Sequence, residues 1–99
     1  MQDHRGLYYF PVLGNRKIRM YVRPNKQEVE FRMWDQDDET LWEEHGWVPW
    51  SAIQQASELY EKEGRKGRPP IHLYDMDAAI RLIRDYVTEL ERKERMGEI

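Results

Sequence analysis

The chain of 99 residues contains no cysteine, which excludes disulfides, thiol catalysis, and zinc or iron–sulfur sites built on cysteine. It has no apolar run near the roughly 20 residues that a membrane-spanning helix needs. Residues 1–6, MQDHRG, lack the apolar segment of a secretory signal. These absences predict a cytoplasmic protein that does not partner with a membrane.

Aliphatic side chains are scarce, because Leu, Ile, Val and Phe together make up only about a fifth of the chain. A disordered chain combines such scarcity with a high net charge and few aromatic rings. Here the net charge is −3, and four Trp, six Tyr and five Met add apolar volume. We therefore expect one folded domain over residues 1–99 with an aromatic-rich core, and frayed ends at 1–6 and 92–99.

Charge is distributed unevenly along the chain. Residues 1–34 carry a net charge of +4, residues 35–63 carry −8, and residues 64–99 carry +1. A basic first third beside an acidic middle either neutralises itself within the fold or offers two charged faces to partners. The sequence contains no glycine-rich phosphate loop and no zinc-protease motif, so no cofactor is predicted.

Two neighbouring segments alternate between apolar and polar residues, as in strands with one buried face. The apolar rows are Ile18, Met20 and Val22 in the first segment and Val29, Phe31 and Met33 in the second. Residues 24–27, PNKQ, join the segments and predict an antiparallel hairpin with its tip at Asn25-Lys26. That register places Val22 opposite Val29 and Met20 opposite Phe31. It also places Arg23 opposite Glu28.

Residues 7–13 are rich in strand-forming side chains and precede a turn signal at Gly14-Asn15. Pro11 has no backbone N–H to donate to a sheet, so this strand should lie at a sheet edge or be broken at Pro11. Together with the hairpin, this segment predicts a three-stranded antiparallel meander.

The middle of the chain has a helical pattern. A short helix is predicted over residues 39–45 and ends at Gly46. A second helix begins either with Pro49 as its first residue or with Ser51 as its cap, and it ends at Gly64. Residues 63–70 have the composition of a loop.

Residues 71–74 are predicted to be extended, and Asp75 then caps the clearest helix in the sequence. Apolar residues recur in this helix every three or four positions and are predicted to form its buried side: Met76, Ala79, Ile80, Ile83, Tyr86 or Val87, and Leu90. Strands followed by helices indicate an α+β fold. We predict two layers, with the two main helices and the short helical turn packed on one face of the three-stranded meander.

All four tryptophans lie between residues 34 and 50. A core of this size can hardly bury twelve aromatic rings, and protein interfaces are enriched in aromatic side chains and arginine. We therefore predict a non-enzymatic interaction domain that binds another protein or a second copy of itself. The first strand is the simplest route to self-association. The candidate contact residues are Trp34, Trp42, Trp47, Trp50 and His45.

The polar face of the hairpin suggests an alternative, since aromatic rings beside arginine bind single-stranded nucleic acids by stacking on their bases. The candidate residues are Arg19, Tyr21, Arg23, Arg32 and Trp34. Glu28, Glu30 and the acidic middle of the chain oppose a phosphate backbone. The competing interpretation is a solvated sheet face on which residues 35–50 cover Trp34.

A third hypothesis is a small enzyme or metal site around His45 or His72. His45 is adjacent to Glu44 and close to three tryptophans, although the end of a short helix also accounts for a histidine there. His72 and Asp75 alone do not make a closed metal site. The acidic run at 35–39 does not match a calcium loop and is better explained as a helix start, so we predict no metal ligand.

Overall fold

The fold is built on one antiparallel sheet with helices packed against it. The computed structural model describes residues 1–64 and 70–97. The strands are β1 (Gln2–Asp3), β2 (Gly6–Tyr9), β3 (Ile18–Asn25), β4 (Glu28–Asp35) and β5 (Val48–Pro49). The helices are α1 (Leu41–His45), α2 (Trp50–Lys62) and α3 (Met76–Gly97), with a 3-10 turn at Pro70–Leu73.

The five strands lie in chain order, each antiparallel to its neighbours. The predicted α+β class and antiparallel sheet are confirmed, but the predicted number of three strands is wrong. The two additional strands, β1 and β5, have two residues each, which is too short for an alternating pattern to be visible. Strand β2 ends at Tyr9, before Pro11, as expected for a residue that has no N–H.

The predicted register of the β3–β4 hairpin is wrong by two residues. Val22 lies opposite Phe31 and Met20 opposite Met33, because the turn is formed by Lys26-Gln27. Lys26 adopts a φ of 60°, the left-handed conformation that a two-residue hairpin turn requires. Side chains alternate with a period of two, so a shift of two leaves each residue on its predicted face.

The main core lies between the sheet and the two long helices. Met20, Val22 and Phe31 are buried on one face of the sheet. They pack against Ile53 of α2 and Ala79 of α3. The prediction that the apolar rows of the hairpin face the main helices is therefore confirmed.

Helix α1 does not share this face, so the prediction that all helices lie on one face is wrong. Trp42 of α1 packs on the opposite side of the sheet, where its ring meets the ring of Tyr21 at 5.2 Å and the guanidinium of Arg32 at 3.9 Å. The physical reason is that arginine and tyrosine side chains present flat, weakly hydrated surfaces on which an indole can pack. A sequence pattern counts the same residues as polar.

Helix α2 begins directly after Pro49, and Ser51 does not cap it through its side chain. Instead the Ser51 N–H donates to Glu28 Oε1 at 2.8 Å, so a carboxylate from β4 satisfies one free amide of the first turn. The predicted loop at 63–70 lies partly outside the described residues. The segment predicted to be extended at 71–74 instead contains the end of the 3-10 turn.

Regular elements extend close to both ends of the described chain. Gln2–Asp3 forms β1, and α3 continues beyond Leu90 as far as Gly97. Residues 98 and 99 lie outside the described residues. No helix in the described part of the chain combines the length and apolarity needed to cross a membrane.

Candidate interaction surfaces

The outer face of the sheet, opposite α2 and α3, carries alternating arginine and aromatic side chains. The pairs Arg19–Trp34, Tyr21–Arg32 and Arg23–Glu30 lie directly across β3 and β4 and therefore share this face. The sequence predicted that this face is exposed. Tyr21 is in fact fully buried, and only 8% of Glu30 is accessible. Trp42 and Trp47, from residues 35–50, pack on Tyr21 and Arg23 of this face. The ring of Trp34 instead contacts Arg5 and Arg19.

The cover is a layer of stacked cations and rings, which we call the arginine–aromatic layer. It consists of Arg5, Tyr8, Arg19, Tyr21, Arg23, Arg32, Trp34, Trp42 and Trp47. Arg32 lies 3.9 Å from the centre of the Trp42 ring, and Arg23 lies 4.2 Å from that of Trp47. Such contacts contribute about 0.5–2 kcal/mol each. One face of each of these two rings is thus already occupied by an arginine of the same chain.

Arg19 lies between two rings, 4.7 Å from the centre of Tyr8 and 4.9 Å from that of Trp34. Its guanidinium also donates to Asp3 Oδ2 at 2.8 Å, and the Tyr21 hydroxyl donates to the same oxygen. The Arg5 N–H donates to the other oxygen, Oδ1, at 2.8 Å. β1 therefore joins the layer through one carboxylate that accepts three hydrogen bonds.

These contacts set the ionisation of the cluster. Burial raises the pKa of Asp3, but the Tyr21 and Arg5 hydrogen bonds and the Arg19 charge outweigh it and hold this pKa below its usual value. Burial, and then the bond to Asp3, raise the pKa of the Tyr21 hydroxyl. Asp3 is thus an ionised acceptor and Tyr21 a protonated donor. The cluster stabilises the fold and offers no activated nucleophile.

A second carboxylate at the hairpin is also paired. Glu30 Oε1 accepts from Arg23 Nε at 2.7 Å, and Oε2 accepts from Asn25 Nδ2 at 3.1 Å. The predicted partner of Arg23 was Glu28, which is wrong because the register differs. The hydrogen bond from Arg23 lowers the pKa of Glu30, and the bond from Asn25 adds to this effect.

We expect Glu30 to make the fold sensitive to acid. Because its pKa is lowered on folding, the stabilisation is present above its ordinary value of 4.5 and is lost as the pH falls through the folded value. Glu30→Gln should lower the free energy of unfolding by about 1–2 kcal/mol at pH 7 and weaken its dependence on acid. Urea unfolding at pH 7 and near pH 3 measures this, with the exposed Glu44→Gln as the control. An acid dependence identical to that of the wild type would contradict the role of Glu30.

The helix-facing side holds the remaining tryptophan. The ring of Trp50 lies 5.9 Å from that of Phe31, and Trp50 packs against the main core. The four predicted contact tryptophans therefore divide between two faces of the sheet. Trp34, Trp42 and Trp47 belong to the arginine–aromatic layer, and all four are half-buried.

His45 is exposed at the last position of α1, and His72 is exposed in the 3-10 turn. In the described residues, His, Asp and Glu side chains form no group of three or more that could hold a metal ion. The structure does not bring either histidine together with the cluster around Asp3. The enzyme hypothesis therefore gains no site from the fold.

Tyr9 has a role that the sequence did not reveal. Its hydroxyl donates to the Leu73 carbonyl at 2.7 Å and accepts from the Asp75 N–H at 2.7 Å. It thereby connects β2 to the start of α3, and its burial raises the pKa of the hydroxyl. The only signal in the sequence was a tyrosine within a strand, whose partners lie more than sixty positions away.

The clearest exposed apolar surface lies on α3. Ile80, Ile83, Val87 and Leu90 recur with spacings of three, four and three and form one side of the helix, which we call the α3 stripe. Ile83 is half-buried, but Ile80, Val87 and Leu90 are 47%, 44% and 42% exposed. All residues from 84 to 97 are exposed. Packing on the core ends at Ile83, and Val87 lines an open cavity with Leu7 and Val22 of the sheet. The prediction that this side of the helix is buried as far as Leu90 is therefore wrong.

Comparison of this chain with protein families, curated proteins and solved structures yields no match.

Proposed function

We propose that this chain is a non-enzymatic protein-interaction module that docks through the α3 stripe. The observation that carries the proposal is that Val87 and Leu90 continue the apolar side of α3 past Ile83, which packs on the core, and are more than two-fifths exposed. A stretch of about 12–15 residues is marginal as a helix in water unless its apolar side is packed. A partner bound to the stripe would supply that packing.

The accessible surface supports the same proposal. The chain exposes 7688 Å², compared with roughly 6,000 Å² expected for a compact monomer of 12.1 kDa. Its longest dimension is 59 Å, about twice the other two, in keeping with a helix that extends beyond the sheet. A standard interface removes about 800 Å² from each partner. The excess over a compact monomer, about 1,700 Å², is larger than one partner's share of such an interface.

The tryptophans are a weaker docking surface than the sequence suggested. Arg23 and Arg32 stack on Trp47 and Trp42, Arg19 stacks on Trp34, and Trp50 packs on Phe31. A partner would have to displace these contacts or use ring edges. We infer that this group acts mainly as scaffold.

Single-stranded nucleic acid is the second candidate ligand, because four guanidinium groups share the arginine–aromatic layer. Asp3 pairs with Arg19 and Glu30 pairs with Arg23, so two of the four charges are compensated. A base would also compete with the stacked guanidinium groups for the faces of the indoles. Salt-dependent binding of an oligonucleotide would favour this alternative, and its absence at low salt would exclude it.

A photo-crosslinking amino acid at Val87 tests the proposed function. We expect it to form a crosslink to protein in cell extract that maps by mass spectrometry to one partner surface. Leu90→Asp should abolish the crosslink while changing the free energy of unfolding by less than about 0.5 kcal/mol, since Leu90 is an exposed position. The same amino acid at Asp85, on the opposite side of α3, is the control. Equal crosslinking from both positions, or none from Val87, would contradict the proposal.

A further inference from the structure

We infer that the partner of the α3 stripe is a second copy of this chain, with the two α3 helices packed antiparallel. This inference rests on the proposed function and specifies the partner at the same surface. The spacing of Ile80, Ile83, Val87 and Leu90 is that of the a and d positions of a heptad. Such a pattern packs well against another helix of the same kind.

The charges beside the stripe select the antiparallel arrangement. Arg84 and Glu91 lie seven residues apart on one border of the stripe, on either side of Val87. In an antiparallel pair with its two-fold axis near Thr88, Arg84 lies next to Glu91 of the second copy. The symmetry produces the same pair again on the other side of the axis.

The apolar and aromatic residues agree with this register. Val87 then packs against Leu90 of the second copy, so two exposed apolar residues of each helix cover each other. On the other border, Tyr86 lies beside Lys93 of the second copy, where an ammonium group can contact the ring face. A parallel pair would instead place Glu94 against Glu94 of the second copy in line with the stripe, which like-charge repulsion opposes.

The structure also leaves room for the second helix. The sheet contacts α3 near Ala79, whereas Ile80 points to one side and remains 47% exposed. An open cavity of about 700 Å³ lies beside Ile80, between the hairpin turn and the start of α2. In the proposed register the last turn of the second α3 lies beside this cavity.

Equilibrium sedimentation over a concentration series tests the inference. We expect a reversible dimer, with Arg84→Glu and Glu91→Arg each raising its Kd about tenfold because each reversal acts twice across the two-fold axis. The double variant Arg84→Glu with Glu91→Arg should restore the wild-type Kd to within about threefold. Asp85→Arg, on the outer side of α3, is the matched control and should leave the Kd unchanged. Circular dichroism confirms that every variant keeps its helices.

The chain has no cysteine, so introduced thiols report the orientation directly. A short bis-maleimide should crosslink a mixture of Arg84→Cys and Glu91→Cys chains more strongly than either variant alone. Stronger crosslinking of each variant alone would indicate a parallel pair and overturn the inference.

A folded monomer at about 1 mM would also overturn the inference. The proposed function would then depend on whether Val87 crosslinks to a different protein. If Val87 crosslinks to no protein at all, the proposed function and the inferred dimer are both contradicted.

Discussion

Phe31→Ala is expected to lower the free energy of unfolding by about 3–5 kcal/mol, enough to leave a large fraction of the chain unfolded. Phe31 is fully buried at the centre of the sheet, with the ring of Trp50 at 5.9 Å and that of Tyr74 at 5.5 Å. Removing the ring leaves a cavity that two large neighbours cannot fill without leaving their own positions. The core has few aliphatic residues to compensate.

Urea unfolding followed by tryptophan fluorescence measures this loss. Leu13→Ala is the control, because Leu13 is fully exposed in the loop between β2 and β3 and should change the stability by less than about 0.5 kcal/mol. If both variants unfolded at the same urea concentration as the wild type, the helix-facing side of the hairpin would not be the core.

Trp42→Ala is expected to cost about 2–4 kcal/mol, somewhat less than loss of a fully buried indole, since Trp42 is half-buried. Its ring covers Tyr21 and stacks on Arg32, whose Nε also donates to the Trp42 carbonyl at 2.8 Å. Without the ring, Tyr21 becomes accessible to water and Arg32 loses its stacking partner. Trp42→Phe keeps part of the packing and should lose less.

The same urea experiment decides between two roles for the tryptophans. If Trp42 belongs to the scaffold, stability falls and any binding through α3 changes only as far as folding changes. If Trp42 is a free contact residue, Trp42→Ala leaves the unfolding midpoint near that of the wild type. The second result would indicate that a partner binds the outer face of the sheet instead of α3.

The sequence predicted the faces of the hairpin but not its register. Alternation is a property of each strand, so Met20, Val22 and Phe31 could be assigned to the core without knowledge of the turn. The register depends on the conformation of Lys26, and a positive φ at lysine is not signalled by its side chain. The strands β1 and β5 could not be predicted for a related reason. Each has two residues and is defined only by its pairing with a neighbouring strand.

The outer face could not be predicted because the pattern of polar residues does not distinguish a hydrated arginine from a stacked one. Arg32 and Trp42 are ten residues apart in sequence, and only the path of the chain after β4 brings them together. For the α3 stripe, the sequence predicted the spacing of the apolar residues correctly. It could not predict their exposure, because that depends on how the strands are arranged beneath the helix.

The way α3 is attached has a consequence for how its far end is positioned. The Tyr9 hydroxyl and the contacts from Met76 to Ile83 hold one end of the helix over about 10 Å, while roughly 20 Å extends from Ile83 to Gly97. If the helix rotates as a rigid rod about Ile83, its tip at Gly97 moves about twice as far as its start at Met76. Substitutions in the core beneath Ala79 should shift the tip. Under the proposed function, they would change how α3 meets its partner without touching that partner.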